Sequence, residues 1–288
     1  MIRGWMAILI AVLGAVAPVF AASREAGANT TVSRRADPKL MSSAVLVVDQ
    51  TDQSALYAKN EDRVMPIASI TKLMTAMVVL DADLPLSERI GISEEERALS
   101  KGARSRLRIG TALTRSELLQ LALMASENRA AEALGRSYPG GARAFIAAMN
   151  QKAVALGMWR TRFVDATGLS SDNVSTAADL VKLVTAAHEY PLIREFTTGT
   201  GLTVRLVNGR MANYHNSNQL VSSPDWRIGL SKTGYISEAG RCLVMQAVIA
   251  DKPVIIVLLD AQGKKTRIRD ANRLRQWMET RLVAGISG

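Results

Sequence analysis

The chain is poor in the residues that metal and redox chemistry use. Among 288 residues it has one cysteine, Cys242, and two histidines, His188 and His215. A single thiol excludes an internal disulfide framework. Its apolar flank, Leu243-Val244-Met245, marks it as a buried thiol in a strand. The histidines lie far apart with no paired ligand spacing, so neither a metal nor another cofactor is expected. Aromatic residues are few, at 5%, while hydrophobic residues reach 48%, the balance of an ordinary globular protein. Beyond Phe20 no stretch is long and apolar enough to span a membrane. Internal repeats and low-complexity tracts are missing too. Acidic residues are in deficit, 26 against 36 basic, for a formal charge of +10. The basic residues are dispersed and no nucleic-acid recognition module is visible, so nucleic acid is not an expected partner. A basic surface instead suits peripheral association with an anionic wall or membrane.

What is present begins with an address. Arg3 is the only charge before an apolar stretch from Trp5 to Phe20, and Ala21 and Ala22 follow it. That is a signal peptide with cleavage expected after Ala21, so the protein is expected to be exported. Residues 22–39 are polar, with Arg34-Arg35 and Pro38, and read as a disordered leader. Residues 40–288 are then expected to form one catalytic domain, long enough for a sizeable core.

Within that domain, Ser43 to Asp49 and Ser54 to Ala58 flank a turn-like Gln50-Thr51-Asp52-Gln53 and predict a hairpin. After Pro66, apolar residues at Ile70, Leu73, Met74, Met77 and Val78 follow helical spacing, predicting a helix buried on one side. From about Leu84 to Tyr190 the pattern is mostly helical. Ser116 is expected to cap a helix to Met124, a second helix runs from Asn128 to Arg136, and a third follows Gly140-Gly141 to about Leu156. Thr176 caps a fourth, Ala177 to His188, which Pro191 ends. Strand patterns return at 202–207, 210–214, 228–235, 241–250 and 254–260, before a closing helix at about 265–282. The fold class is α+β: an antiparallel sheet from both chain ends, packed with helices, and a helical lobe inserted at about 84–190.

Three short motifs fall in an order that suits acyl transfer. Ser69-Ile70-Thr71-Lys72 puts a hydroxyl and an amine one helical turn apart. Ser69 is the candidate nucleophile, with a backbone N–H free at the helix start to stabilise an oxyanion. Lys72 is the candidate base, provided burial and a second cation, Lys232, lower its pKa. Ser126-Glu127-Asn128 interrupts a helical run. Ser126 can relay a proton to a leaving amine, and Asn128 can bond the substrate amide and fix Lys72. Ser171-Asp172-Asn173 has the same form but lies in a polar loop, where a turn role fits better. Lys232-Thr233-Gly234 lies in a strand. Lys232 offers a cation and Thr233 a hydroxyl to a substrate carboxylate. Gly234 permits close backbone approach, and the N–H of Tyr235 is the candidate second oxyanion donor.

These motifs, with Phe163…Gly168-Leu169, Ser175-Thr176-Ala177…Asp179 and the run from Gly229 to Arg241, resemble the penicillin-binding proteins and serine β-lactamases. The likeness is closest to the low-molecular-mass D-alanyl-D-alanine peptidases, and its wording to their type-7 endopeptidases. The resemblance implies a β-lactamase/transpeptidase-like fold, a periplasmic location and peptidoglycan peptide stems as substrate. It also implies an acyl-enzyme on Ser69, Lys72 as proton acceptor, Ser126 as relay and Lys232 as substrate binder, with β-lactam antibiotics as covalent inhibitors. Only 54 residues follow Gly234, which speaks for the endopeptidase over carboxypeptidases with a second β-rich domain. Trimming of terminal D-alanine is the alternative. A β-lactamase is disfavoured, because the region near Phe163 to Gly168 offers Asp165 but no Glu-x-x-Leu-Asn.

Overall fold

A computed structural model describes Met1 and residues 37–99 and 105–285, with side chains through Arg281. The expected signal peptide and most of the expected leader lie outside the described residues. Five antiparallel strands build the main sheet: β1 (Ser42–Asp49), β2 (Ala55–Lys59), β9 (Arg227–Ile236), β10 (Gly240–Ile249) and β11 (Lys252–Ala261), in the order β2-β1-β11-β10-β9. Three two-stranded ribbons accompany it: β3 (Met65–Pro66) with β6 (Val174–Ser175), β4 (Arg89–Gly91) with β5 (Ala112–Thr114), and β7 (Gly201–Arg205) with β8 (Met211–His215). The helices are α1 (Thr71–Asp81), α2 (Glu94–Leu99), α3 (Arg115–Met124), α4 (Asn128–Arg136), α5 (Gly141–Ala155), α6 (Ala177–His188), α7 (Pro191–Thr198) and α8 (Thr266–Gly285).

The near-continuous apolar runs of β1, β10 and β11 follow from a sheet covered on both faces. Successive side chains alternate across a strand. Val45, Val47, Met245, Ile256 and Leu258 therefore join Ala271, Leu274 and Met278 of α8 in one core. Leu46, Val48, Val244, Ile255 and Val257 join Leu180, Leu183 and Val184 of α6 in the other. Asp270 of α8, itself buried, accepts from the backbone N–H groups of Met41 and Ser42 at 3.0 and 2.7 Å and from Ser42 Oγ at 2.8 Å. It ties the start of β1 to the closing helix.

Four local expectations are corrected. Helix α1 is buried on all sides from Thr71 to Val79, not on one, because it runs through the middle of the helical lobe. Its polar residues find internal acceptors: Thr71 Oγ1 bonds the carbonyl of Ala68 and Thr75 Oγ1 that of Ala166. Ser69 precedes α1 in a 3-10 turn, Ala68–Ile70. The cap of α3 is Thr114, not Ser116, since Thr114 and Glu117 form a reciprocal capping box. Pro191 opens α7 at its first turn, where proline's missing N–H costs nothing, so the helical region extends to Thr198.

Candidate active site

The site forms where the Ser69 turn, the α3–α4 junction and strand β9 meet. Sheet order leaves β9 at an edge, and its Gly234 passes against the turn. A methyl group on Gly234 would lie 2.9 Å from the Ile67 carbonyl oxygen, 3.1 Å from Ala68 Cβ and 3.1 Å from Ser69 N. Only glycine lets the strand come this close. From the other side, Gly168 packs on the same turn at φ +80°, and a methyl there would overlap the Ala68 carbonyl oxygen at 1.9 Å. Ala68 between them has φ +47°, a left-handed conformation that a non-glycine residue adopts at a cost. Ser69 is thus presented by a turn gripped between two glycines.

Lys72 is fully buried and its ammonium has three partners: Ser69 Oγ at 2.8 Å, Asn128 Oδ1 at 2.8 Å and the Thr167 carbonyl at 2.7 Å. Burial lowers its pKa from the ordinary lysine value to about 8, while the carboxylates of Asp165, Glu127 and Glu132 pull it back upward. A lysine at that value is readily neutral. A carboxamide oxygen and a carbonyl can only accept, so they keep the two remaining N–H bonds. The lone pair is left facing Ser69 Oγ, the one partner able to donate a proton. This geometry sets up the serine for deprotonation.

Lys232 is equally buried and faces inward, donating to Ser126 Oγ at 2.9 Å and to the Thr233 carbonyl at 2.9 Å. Burial first, then Lys72 and then Arg267, hold it well below the ordinary lysine range. Burial is the largest cause of the low Lys72 pKa, and the Lys232 amine is turned inward onto Ser126. Thr233 Oγ1 donates to Ser217 Oγ at 2.7 Å. Ser126 has φ +59°, a kink that ends α3 and turns the hydroxyl toward Lys232 before Glu127 caps α4. Tyr235 continues β9 with its ring exposed, and the Arg241 guanidinium stacks on it at 4.4 Å.

The site therefore gathers Ser69, Lys72, Ser126, Asn128, Lys232, Thr233 and Gly234. The second Ser-x-Asn goes elsewhere: Asn173 is buried in the loop before β6, accepting from Val164 N at 2.6 Å and donating to Asp165 Oδ1 at 3.0 Å. Asp165 is the hub of that loop and accepts from the N–H groups of Thr167, Gly168 and Ser170 at 2.7, 2.6 and 2.8 Å. It holds Thr167 and Gly168 in place. Ser217, Arg267 and Glu132 carried no sequence signal. Arg267 of α8 donates Nη1 to the Gly234 and Cys242 carbonyls at 3.0 and 3.2 Å. Glu132 lies one turn after Asn128 on α4, half-buried, and burial followed by the charge of Asp165 raises its carboxyl to about 7. Cys242 is buried as expected, its thiol pushed up to about 11 by that burial.

A family model described as D-alanyl-D-alanine carboxypeptidase matches residues 30–263. The D-alanyl-D-alanine endopeptidase of Pseudomonas aeruginosa is 49% identical over 269 residues, covering 89% of this chain and 86% of that protein. The D-alanyl-D-alanine endopeptidase of Escherichia coli is 48% identical over 254 residues, covering 88% and 81%. Among solved structures, the DD-transpeptidase of Streptomyces K15 superposes with a TM-score of 0.78 at 27% identity, over 84% of this chain and 98% of that one.

Proposed function

The chain belongs to the D-alanyl-D-alanine carboxypeptidase family, and on that premise we propose that it hydrolyses D-alanyl bonds of peptidoglycan through an ester on Ser69, acting chiefly on the D-alanyl–diaminopimelate cross-link. The observation that carries the chemistry is the partner set of Lys72, which leaves its lone pair only Ser69 to deprotonate. Identities of 49% and 48% to two proteins named endopeptidases favour the cross-link over terminal D-alanine.

In this reading the Ser69 oxygen attacks the D-alanyl carbonyl as its proton passes to Lys72. The N–H groups of Ser69 and Tyr235 receive the oxyanion. Ser126, held by Lys232, relays the proton to the departing amine. Asn128 fixes Lys72 and meets the substrate amide. Thr233 and Ser217 take the carboxylate beside the scissile bond, with Lys232 and Arg267 supplying positive potential behind them. Water then cleaves the ester. Backbone N–H groups of its own loop already bond the Asp165 carboxylate, so it is not presented to activate a water against a penicilloyl ester, and β-lactams should persist on Ser69. Export by the N-terminal segment to the periplasm, and action from residue 40 onward as one catalytic domain, complete the proposal.

Purified enzyme is expected to convert a cross-linked tetrapeptide dimer to monomers with a kcat/KM at least tenfold above that for release of D-alanine from a pentapeptide monomer. Chromatographic product analysis measures both. Preferential release of free D-alanine would replace the cross-link reading with the carboxypeptidase one.

A further inference from the structure

Beside the site lies a basic groove whose charged residues the mechanism above does not use. Two cavities of about 600 and 630 Å³ meet at Ser105, Arg106 and His215. The first reaches Ala125, adjacent to Ser126, and Ser217, the partner of Thr233. The second opens along the β7–β8 hairpin past Arg108 and Arg210. The ionisable groups lining the pair are Arg106, Arg108, Arg210, His215, the buried Tyr214 and one carboxylate, Glu127. Glu127 is buried and occupied as the cap of α4, accepting from Arg129 N. Three exposed guanidinium groups thus face the groove without an exposed carboxylate among the lining residues.

Arg106 is held in place by its neighbours. Its guanidinium lies 4.0 Å over the ring of buried Tyr214 and donates Nη1 to the Asn213 carbonyl. Stacking and one backbone bond fix the plane of the group and leave further N–H donors facing solvent. A pre-oriented guanidinium loses less freedom on meeting a carboxylate than a free one.

We propose that this groove is an anion subsite for the second peptide stem of a cross-linked substrate, the stem that carries the departing amine. The inference rests on the cross-link reading above. Cleavage beside a carboxylate held at Thr233 and Ser217 places the departing residue at the groove's inner end. A terminal D-alanine stops there. A cross-linked diaminopimelate continues, and its stem bears further carboxylates that can pair with Arg106, Arg108 and Arg210. Chemistry and position together select a ligand that is extended, peptidic and polyanionic.

The test measures equilibrium binding of a tetrapeptide dimer to the Ser69→Ala protein, so it does not depend on turnover. Adding Arg106→Gln, or Arg210→Gln at the outer end, is expected to weaken binding about fivefold to twentyfold, from the upper end for an exposed ion pair to the lower end for a charge-assisted hydrogen bond. The loss should disappear when the dimer's stem carboxylates are amidated and shrink as salt is raised. Arg210, exposed on the hairpin, can be replaced without disturbing the core, and thermal unfolding of both variants confirms that they fold. Unchanged affinity in both variants overturns the proposal, as does an equal loss with amidated dimer. So does a parent protein that binds the two dimers equally. Failure of wild type to cleave dimers would fall on the cross-link reading alone, because the groove is judged by binding.

Discussion

Replacing Lys72 with alanine is expected to slow acylation of Ser69 by benzylpenicillin by about three orders of magnitude, within the range that a positioned general base contributes. Of the groups bonded to Lys72, only Ser69 can give up a proton, and Lys72 is the only base bonded to Ser69 in the described residues. The pH dependence carries the same signature. The neutral amine is the active form and its pKa stands at about 8. Wild-type acylation should therefore rise about tenfold per pH unit below that value and level off above it. In Lys72→Ala the limb should vanish with the rate. Stopped-flow or quenched labelling with a fluorescent penicillin between pH 5 and 10 measures both. A variant that keeps the limb near pH 8 would assign it to another group, with Glu132, raised to about 7, the first to examine.

The second large effect is expected at Gly168. A methyl group there falls 1.9 Å from the Ala68 carbonyl oxygen and 2.3 Å from its carbon, both backbone atoms that no side-chain rotation can clear. The φ of +80° adds conformational strain. Gly168→Ala should lose about 3 kcal/mol of stability, mostly from overpacking. Its folded fraction should acylate about a hundredfold more slowly, since the displaced turn carries Ser69. Gly209→Ala separates the two causes. Gly209 has φ +77° with nothing within 4 Å of a would-be Cβ. It should lose about 1 kcal/mol and acylate normally. Urea unfolding and penicillin labelling give both readouts. Equal losses in the two variants would mean that the close contact at the Ser69 turn is unimportant.

The parts of the site legible in the sequence are those that local spacing makes neighbours. Ser69 and Lys72 share a helical face, and Ser126 and Asn128 flank a helix break, so each pair declares itself in a few residues. The antiparallel sheet was equally plain, because strands covered on both faces carry long apolar runs such as Val254–Leu259. The hidden parts are long-range. The Thr167 carbonyl reaches Lys72 from 95 positions away, and backbone carbonyls leave no mark on a sequence. Arg267 reads as one more basic residue on a surface helix until α8 is seen to bring it to Gly234. Lys232 was legible as a cation but not in its orientation, since only the packed structure shows it turned toward Ser126. Pro191 reads as a stop, yet proline fits the first turn of a helix as well as the end of one, and neighbours decide between them.

The most direct measurement of the account is peptide mapping by mass spectrometry of enzyme quenched while it digests cross-linked muropeptides. A stem-peptide ester is expected only on the fragment containing Ser69, replaced by a stable penicilloyl ester on the same fragment after β-lactam treatment, with no ester in Ser69→Ala. An ester on another residue, or undiminished cross-link cleavage by Ser69→Ala, would contradict it.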